Sequence, residues 1–339
     1  MSGITYKGPI NPNPKDDEAS IIIYSYIPSL ALGIIGIITF SLVVFLNGFW
    51  LIKKRGTRWF HSLILVGALM EIGGYAARLA SHKRPFVVSS FVAQYFLIVV
   101  APVLFSAAIY LSLSLAVRNY KGAERLLIIS PRKVLLFFVT ADIVTTIIQI
   151  AGAALIGTSE SAKVRGKPSK VTPDQANDIL LAGLAIQCFS FTCFLLILLL
   201  VIYRSYQSKY IYYLSNNNNN NNQQQQDIQE EVPEYQCGIK KLRSFLYIIL
   251  ITSLLILLRT TFRLSETGQG FFGFASTHES LFGCLEYLPV ILSLLIWSLL
   301  PPSNFILGQI SNNQTRERLN STQTPLQISE IKNTRTVNV

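Results

Sequence analysis

Seven long apolar stretches dominate this chain and restrict what it can fold into. The hydrocarbon core of a bilayer is about 30 Å thick, so a helix rising about 1.5 Å per residue needs about 20 mostly apolar residues to cross it. Residues 27–52 run for 26 positions without one charge. Six further stretches follow at 60–80, 87–117, 134–158, 179–203, 245–264 and 281–306. In lipid every backbone N–H and C=O must find a partner inside the protein, and these segments are far too long for barrel strands, so helices are expected throughout. The expected fold class is therefore all-α: a polytopic membrane protein whose seven-helix transmembrane domain spans 27–306, with tails at 1–26 and 307–339. Composition agrees, since of 339 residues 50% are hydrophobic and only 14% charged, and mean hydropathy is positive. A cleaved signal peptide explains the first stretch less well. The stretch is too long, and Asp16-Asp17-Glu18 precede it where basic residues belong.

Orientation follows from the basic residues, which resist translocation and collect on the cytosolic side. The N-terminal tail and the loops after the second, fourth and sixth spans carry 8 Lys and Arg; the other loops and the C-terminal tail carry 18. The expected topology puts the N-terminus outside and the C-terminus in the cytosol. The net charge of +11 is then accounted for by topology and by attraction to anionic headgroups. Membrane lipids are the expected partners, and nucleic acid is not.

The longest connection, 207–240, holds seven asparagines and four glutamines (Asn216–Gln226) and reads as a disordered cytosolic insertion, being too polar to bury a core. The loop 159–178 is read as flexible and external. Sequons at Asn313 and Asn320 face the cytosol in this topology and stay unglycosylated. Cys188, Cys193 and Cys284 fall within spans and Cys237 in a cytosolic loop, so no external disulfide is expected, and no metal-ligand spacing appears. No internal repeat stands out.

Charges inside the spans carry the most information. Glu71, Arg78, Asp142, Arg259, Arg263 and Glu286 each cost at least about 2.5 kcal/mol near the bilayer centre when facing lipid, so each should face the bundle interior or a wet cavity. Three acids balance three bases, and the plain reading is a set of buried pairs that fix packing. The functional reading is a polar path for substrate. Glu71 and Arg78 share a face but stand about 10 Å apart along the axis, so their partners must come from other helices. Arg259, Arg263 and Glu266 form one stripe, on which an intrahelical Arg263–Glu266 contact is the plain reading. Gln94, Gln149 and Gln187 read either as interhelical hydrogen-bond glue or as substrate contacts. Pro102 removes one backbone hydrogen bond in the third span.

The string Glu71-Ile72-Gly73-Gly74-Tyr75-Ala76-Ala77-Arg78 resembles the E-x-x-G-Y-x-x-R signature of the fungal lipid-translocating exporter family, seven-helix proteins named for resistance to aminocholesterol. Further matches follow in order: Gln94, Ala101-Pro102 and Tyr110; Asp142, Gln149 and Gly152; Gly183 and Gln187; Arg259-x-x-Phe262-Arg263-x-x-Glu266; and His278-Glu279. Glu286 stands where the family usually has Asp, and Pro301-Pro302 where it usually has His-Pro. The likeness covers about residues 27 to 305 and implies a multi-pass protein of the plasma membrane or another endomembrane that moves amphipathic lipids. Sphingoid long-chain bases and phospholipids are the implied substrate classes, with resistance to toxic sterols or azoles as the phenotype. It adds Tyr75 to the candidate path. An acid such as Glu71, Asp142 or Glu286 would hold the ammonium of a sphingoid base. A phosphate would instead need Arg78, Arg259 and Arg263. The residues alone leave both open.

Two rival functions share this topology. A seven-helix receptor or sensor of lipid stress is one, although Arg118-Asn119-Tyr120 lacks the preceding acid of a rhodopsin-like receptor and the last span lacks Asn-Pro-x-x-Tyr. The other is a zinc-dependent membrane hydrolase. It needs clustered histidines, but His61 lies on the cytosolic side and His82 and His278 outside. No Gly-rich nucleotide loop occurs. The expectation is a non-enzyme without cofactors.

Overall fold

In the computed structural model the described residues are 27–120, 130–164, 171–217, 224–270 and 273–305, with 11–13, 18 and 127 besides. They form helices α1 (Leu30–Lys53), α2 (Arg58–Lys83), α3 (Val88–Asn119), α4 (Pro131–Val164), α5 (Pro173–Asn217) and α6 (Gln224–Gly268). The last span, α7 (Glu279–Leu299), is preceded by a one-turn helix at Phe274–Thr277 and changes to π-helix at Phe282–Tyr287. All seven are long and apolar enough to cross a membrane, and their limits fall within five residues of the expected spans except at the end of the last, which stops at Leu299 and not 306. The chain is a multi-pass membrane protein. Tails 1–10 and 306–339, and with them both sequons, lie outside the described residues.

Helix extends into both ends of the 207–240 insertion that was expected to be disordered: α5 continues to Asn217 and α6 begins at Gln224, and 218–223 lie outside the described residues. Extending a helix that already exists needs no nucleation, and Gln, Glu and Lys are good helix formers, so polarity alone does not end α5 or delay α6. For the same reason α4 runs to Val164, into the loop expected to be flexible.

Successive helices pack side by side, and α7 returns to touch α6 and α1, closing a ring that α3 tightens by also contacting α6. Helices α1, α3, α5 and α7 begin at one face, called here the N-terminal face. Outward positions are apolar, among them Ile38, Phe45, Leu136, Phe137, Phe189 and Leu196. The inward positions include nearly every charged group of the spans, the inverse of a soluble bundle.

Glycine sets the spacing. A Cβ on Gly36 of α1 would stand 2.4 Å from the Tyr75 ring of α2; one on Gly67 would stand 2.4 Å from the Phe105 ring of α3, and one on Gly74 2.6 Å from Ile98. At Gly152 in α4 the added carbon would meet the backbone nitrogen of Leu180 in α5 at 2.7 Å. Small residues at these crossings let backbones approach, the usual basis of helix association where lipid offers no hydrophobic drive.

Candidate functional site

The stripe Glu71, Gly74, Tyr75, Arg78 lies on the inward face of α2, and all four residues are buried. The glycine admits α3, and Tyr75 packs over Gly36 and stacks on Phe40 of α1 with ring centroids 5.5 Å apart. The two charges on either side of this contact have different surroundings.

Arg78 meets Glu279, the first residue of α7, at 2.6 Å. The Glu279 carboxylate also accepts the backbone N–H of Ser29 at 2.9 Å and 3.1 Å, and Ser29 caps α1 through its own side chain. Phe282 lies under the Arg78 guanidinium, 4.3 Å from its carbon, and His82 bonds the Pro28 carbonyl at 2.7 Å. Helices α1, α2 and α7 are thus tied together at the N-terminal face. Glu279 was not among the candidate site residues.

Arg259 of α6 bonds Glu286 of α7 at 2.5 Å and donates to the Ile98 carbonyl of α3 at 2.9 Å. That carbonyl is the one Pro102, four residues on, cannot reach for want of an N–H. The guanidinium replaces the missing donor and binds three helices at one point. Glu286 sits within the π-helical turn, a feature that often marks functional positions in helices.

Arg263 pairs with Glu266 one turn along at 2.8 Å and lies over Tyr95, 5.0 Å from its ring centre. The plain intrahelical reading is what the structure has. Gln149 donates to Gln187 at 2.7 Å across the α4–α5 contact that Gly152 and Gly183 permit, which is the glue geometry. Gln94 is buried on α3.

Three arginines thereby take three carboxylates: Arg263 takes Glu266 as the stripe on α6 implied, Arg259 takes Glu286, and Arg78 takes Glu279 in place of an acid within the spans. Glu266 and Glu279, at helix ends, supply two of them, and Glu71 and Asp142 are left without a base. Glu71 is 2% exposed and, among the described residues, receives no hydrogen bond or ion pair; Arg259 and Glu286 are the charges whose fields reach it. Asp142 of α4 accepts the Tyr110 hydroxyl at 2.9 Å, while its other oxygen is buried without a partner. Phe138, Phe191 and Phe194 surround Tyr110, so this carboxyl occupies an aromatic pocket between α3, α4 and α5. The buried acids Glu71, Asp142 and Glu286 equal the buried arginines Arg78, Arg259 and Arg263 in number, but the part-buried Glu266 and Glu279 take two of those arginines.

A further polar network lies toward the opposite face. Asn47 of α1 donates to Ser298 of α7 at 2.8 Å and bonds His61 of α2 at 3.0 Å, and Trp50 donates to the Ser298 carbonyl at 2.9 Å. Asn47 was passed over because an uncharged residue within an apolar run gives no signal until its neighbours are known. Among the described residues no three His, Cys, Asp or Glu side chains are placed to hold a metal ion.

Known proteins can be set beside this geometry. Residues 64–309 match the family described as "RTA1 like protein". Protein RTM1 of Saccharomyces cerevisiae is 26% identical over 250 residues, 74% of this chain and 67% of that protein. Protoporphyrin uptake protein 1 of the same organism is 25% identical over 232 residues, covering 68% of this chain and 65% of its own length. The sphingoid long-chain base transporter RSB1 of that yeast is 24% identical over 285 residues, covering 81% and 72%. No solved structure matches the chain. With its seven spans and a family match reaching from the second of them through the last, the chain belongs to the RTA1-like protein family.

Proposed function

We propose that this protein is a transporter that moves amphipathic lipids bearing a protonated amine, of the sphingoid long-chain base class, between the leaflets of the plasma membrane. In this reading its N-terminus is outside and its C-terminus in the cytosol, and its activity confers resistance to toxic lipids and sterol-directed drugs. One observation carries the choice of substrate: among the described residues each buried arginine of the spans is engaged by a carboxylate, while Glu71 has no base. A phosphate headgroup would need guanidinium groups that are already committed. An ammonium finds a carboxylate ready to accept a charge-assisted hydrogen bond. Tyr75, beside Glu71 on the same stripe, adds a hydroxyl, and Glu286 a second acid in the same field. The relative named as a sphingoid long-chain base transporter supports the same class.

The test is leaflet exchange in liposomes holding the purified protein, with a fluorescent sphingoid base and a fluorescent phosphatidylcholine compared in parallel. The base should exchange and the phosphatidylcholine should not. Glu71→Gln should slow base exchange at least tenfold while leaving the melting temperature within a few degrees of the parent. Unchanged exchange in that variant, or movement of the phospholipid alone, would refute the assignment.

A further inference from the structure

The interfaces between neighbouring helices are not built alike. Helix α1 meets α2 through glycine and aromatic packing, and α4 meets α5 the same way. Helix α1 touches α7 only sparsely, and what joins them is one edge-on ring contact, Phe40 to Tyr287 at 6.1 Å, and a series of hydrogen bonds. The Ser29 N–H bonds Glu279 at 2.9 Å, the Thr39 hydroxyl bonds the Tyr287 hydroxyl at 2.9 Å, and Asn47 and Trp50 bond Ser298 at 2.8 Å and 2.9 Å. The two helices run parallel, so these bonds are rungs. On α1 they lie 10 and then 8 residues apart, about 15 Å and about 12 Å at the usual helical rise. Together they reach across nearly the whole hydrocarbon core, about 30 Å thick.

From these features we propose that the α1–α7 seam is the lateral door through which the head of the lipid amine enters the bundle and along which it travels, its hydrocarbon tail staying in the bilayer. The inference rests on the lipid-amine reading above. Each rung offers hydroxyl, amide or carboxylate groups that an ammonium and its neighbouring hydroxyls can replace one for one, so opening the seam leaves no polar group stranded. The middle and last rungs carry no charged side chain, and at the first the one cation, Arg78, is already held by the Glu279 carboxylate, which suits an amine better than a phosphate. The middle rung is half-buried, with Ile35, Ile38 and Leu288 on its lipid side. Behind it the Tyr287 ring is 5.8 Å from that of Tyr75, which lies in the fields of Glu71 and Glu286. The π-helical turn of α7 ends at this rung, where an irregular hydrogen-bond ladder makes local movement easier than in a regular helix.

A pair of cysteines tests the door. A Cβ on Gly283 would lie 3.9 Å from the end of the Leu32 side chain across the seam, and one on Gly268 would lie 3.8 Å from the Leu181 end across α5–α6. In protein whose four native cysteines are replaced by serine, Leu32→Cys with Gly283→Cys would be joined by a short bis-thiosulfonate; Leu181→Cys with Gly268→Cys is the control. Bridging the first pair should cut exchange of the fluorescent sphingoid base at least tenfold and reductant should restore it, with the control bridge changing exchange less than twofold. In parallel, a photoactivatable sphingosine should leave adducts on α1 and α7 peptides, and these should disappear on bridging. Undiminished exchange through the bridged seam, or adducts confined to α4, α5 and α6, would overturn the door while leaving the transporter reading in place. Protein that moves no base yet carries seam adducts would refute transport and keep the seam as the lipid-binding surface.

Discussion

Arg259→Met removes one side chain and two engagements. Glu286, 1% exposed, loses its hydrogen-bond partner among the described residues, and the Ile98 carbonyl loses the donor that stands in for the missing N–H of Pro102. Breaking a buried pair by deleting one member costs about 3–5 kcal/mol, and a stranded carbonyl adds about 1–3 kcal/mol. At about 2–4 °C per kcal/mol for a chain of this size, melting should fall by at least about 8 °C. Melting of the detergent-solubilised protein can be followed through Trp297, which is buried against Phe60 with ring centroids 5.0 Å apart. Two second-site changes separate the losses. Glu286→Leu should return most of the stability to Arg259→Met, since an apolar pair of similar volume can replace a buried ion pair at little cost. Pro102→Ala should return a smaller part, about 1–3 kcal/mol, because the new N–H reaches the Ile98 carbonyl. An Arg259→Met protein that melts within 2 °C of the parent would refute the reasoning. So would a double variant with Glu286→Leu that melts no higher than Arg259→Met alone.

Other outcomes follow from the geometry already given. Gly152→Ala should lower stability by about 1–3 kcal/mol, because its Cβ would stand 2.7 Å from backbone and α4 and α5 must part; a melting curve like that of the parent would count against the close crossing. Gln187→Leu should cost about 0.6–2 kcal/mol by stranding Gln149, and adding Gln149→Leu should recover most of it, which a double-variant melting series reads directly. Tyr110→Phe should destabilise by about 1–3 kcal/mol, since it removes the single hydrogen bond to a carboxyl whose other oxygen has none; a neutral effect would mean that Asp142 finds another partner.

The seven spans were legible because length and apolarity are properties of a segment taken by itself. So was Arg263–Glu266, since positions three apart on a helix must be neighbours. Half of the Arg259 contact could be read as well: Pro102 frees a carbonyl four residues earlier wherever it sits in a helix, but the donor that arrives from α6 depends on packing. Glu279 could not be identified as the partner of Arg78. It stands where the last span begins, and only the closure of α7 against α1 and α2 brings it to the guanidinium. A balanced count of three acids and three bases hid this, because a tally of charges contains no distances. The helical extension of α5 and α6 was missed for another reason: composition reports what a segment can bury, and a helix continuing from a membrane span need bury nothing.

The guanidinium that joins α6 to both the Ile98 carbonyl and Glu286 has a mechanical consequence. A shift of the last helix that draws its carboxylate away must either pull the arginine off the proline-broken turn of the third helix or drag that turn along. Either way, displacement at the periphery is felt at the centre of the ring, and a lipid parting the outer helices would rearrange the innermost one without touching it.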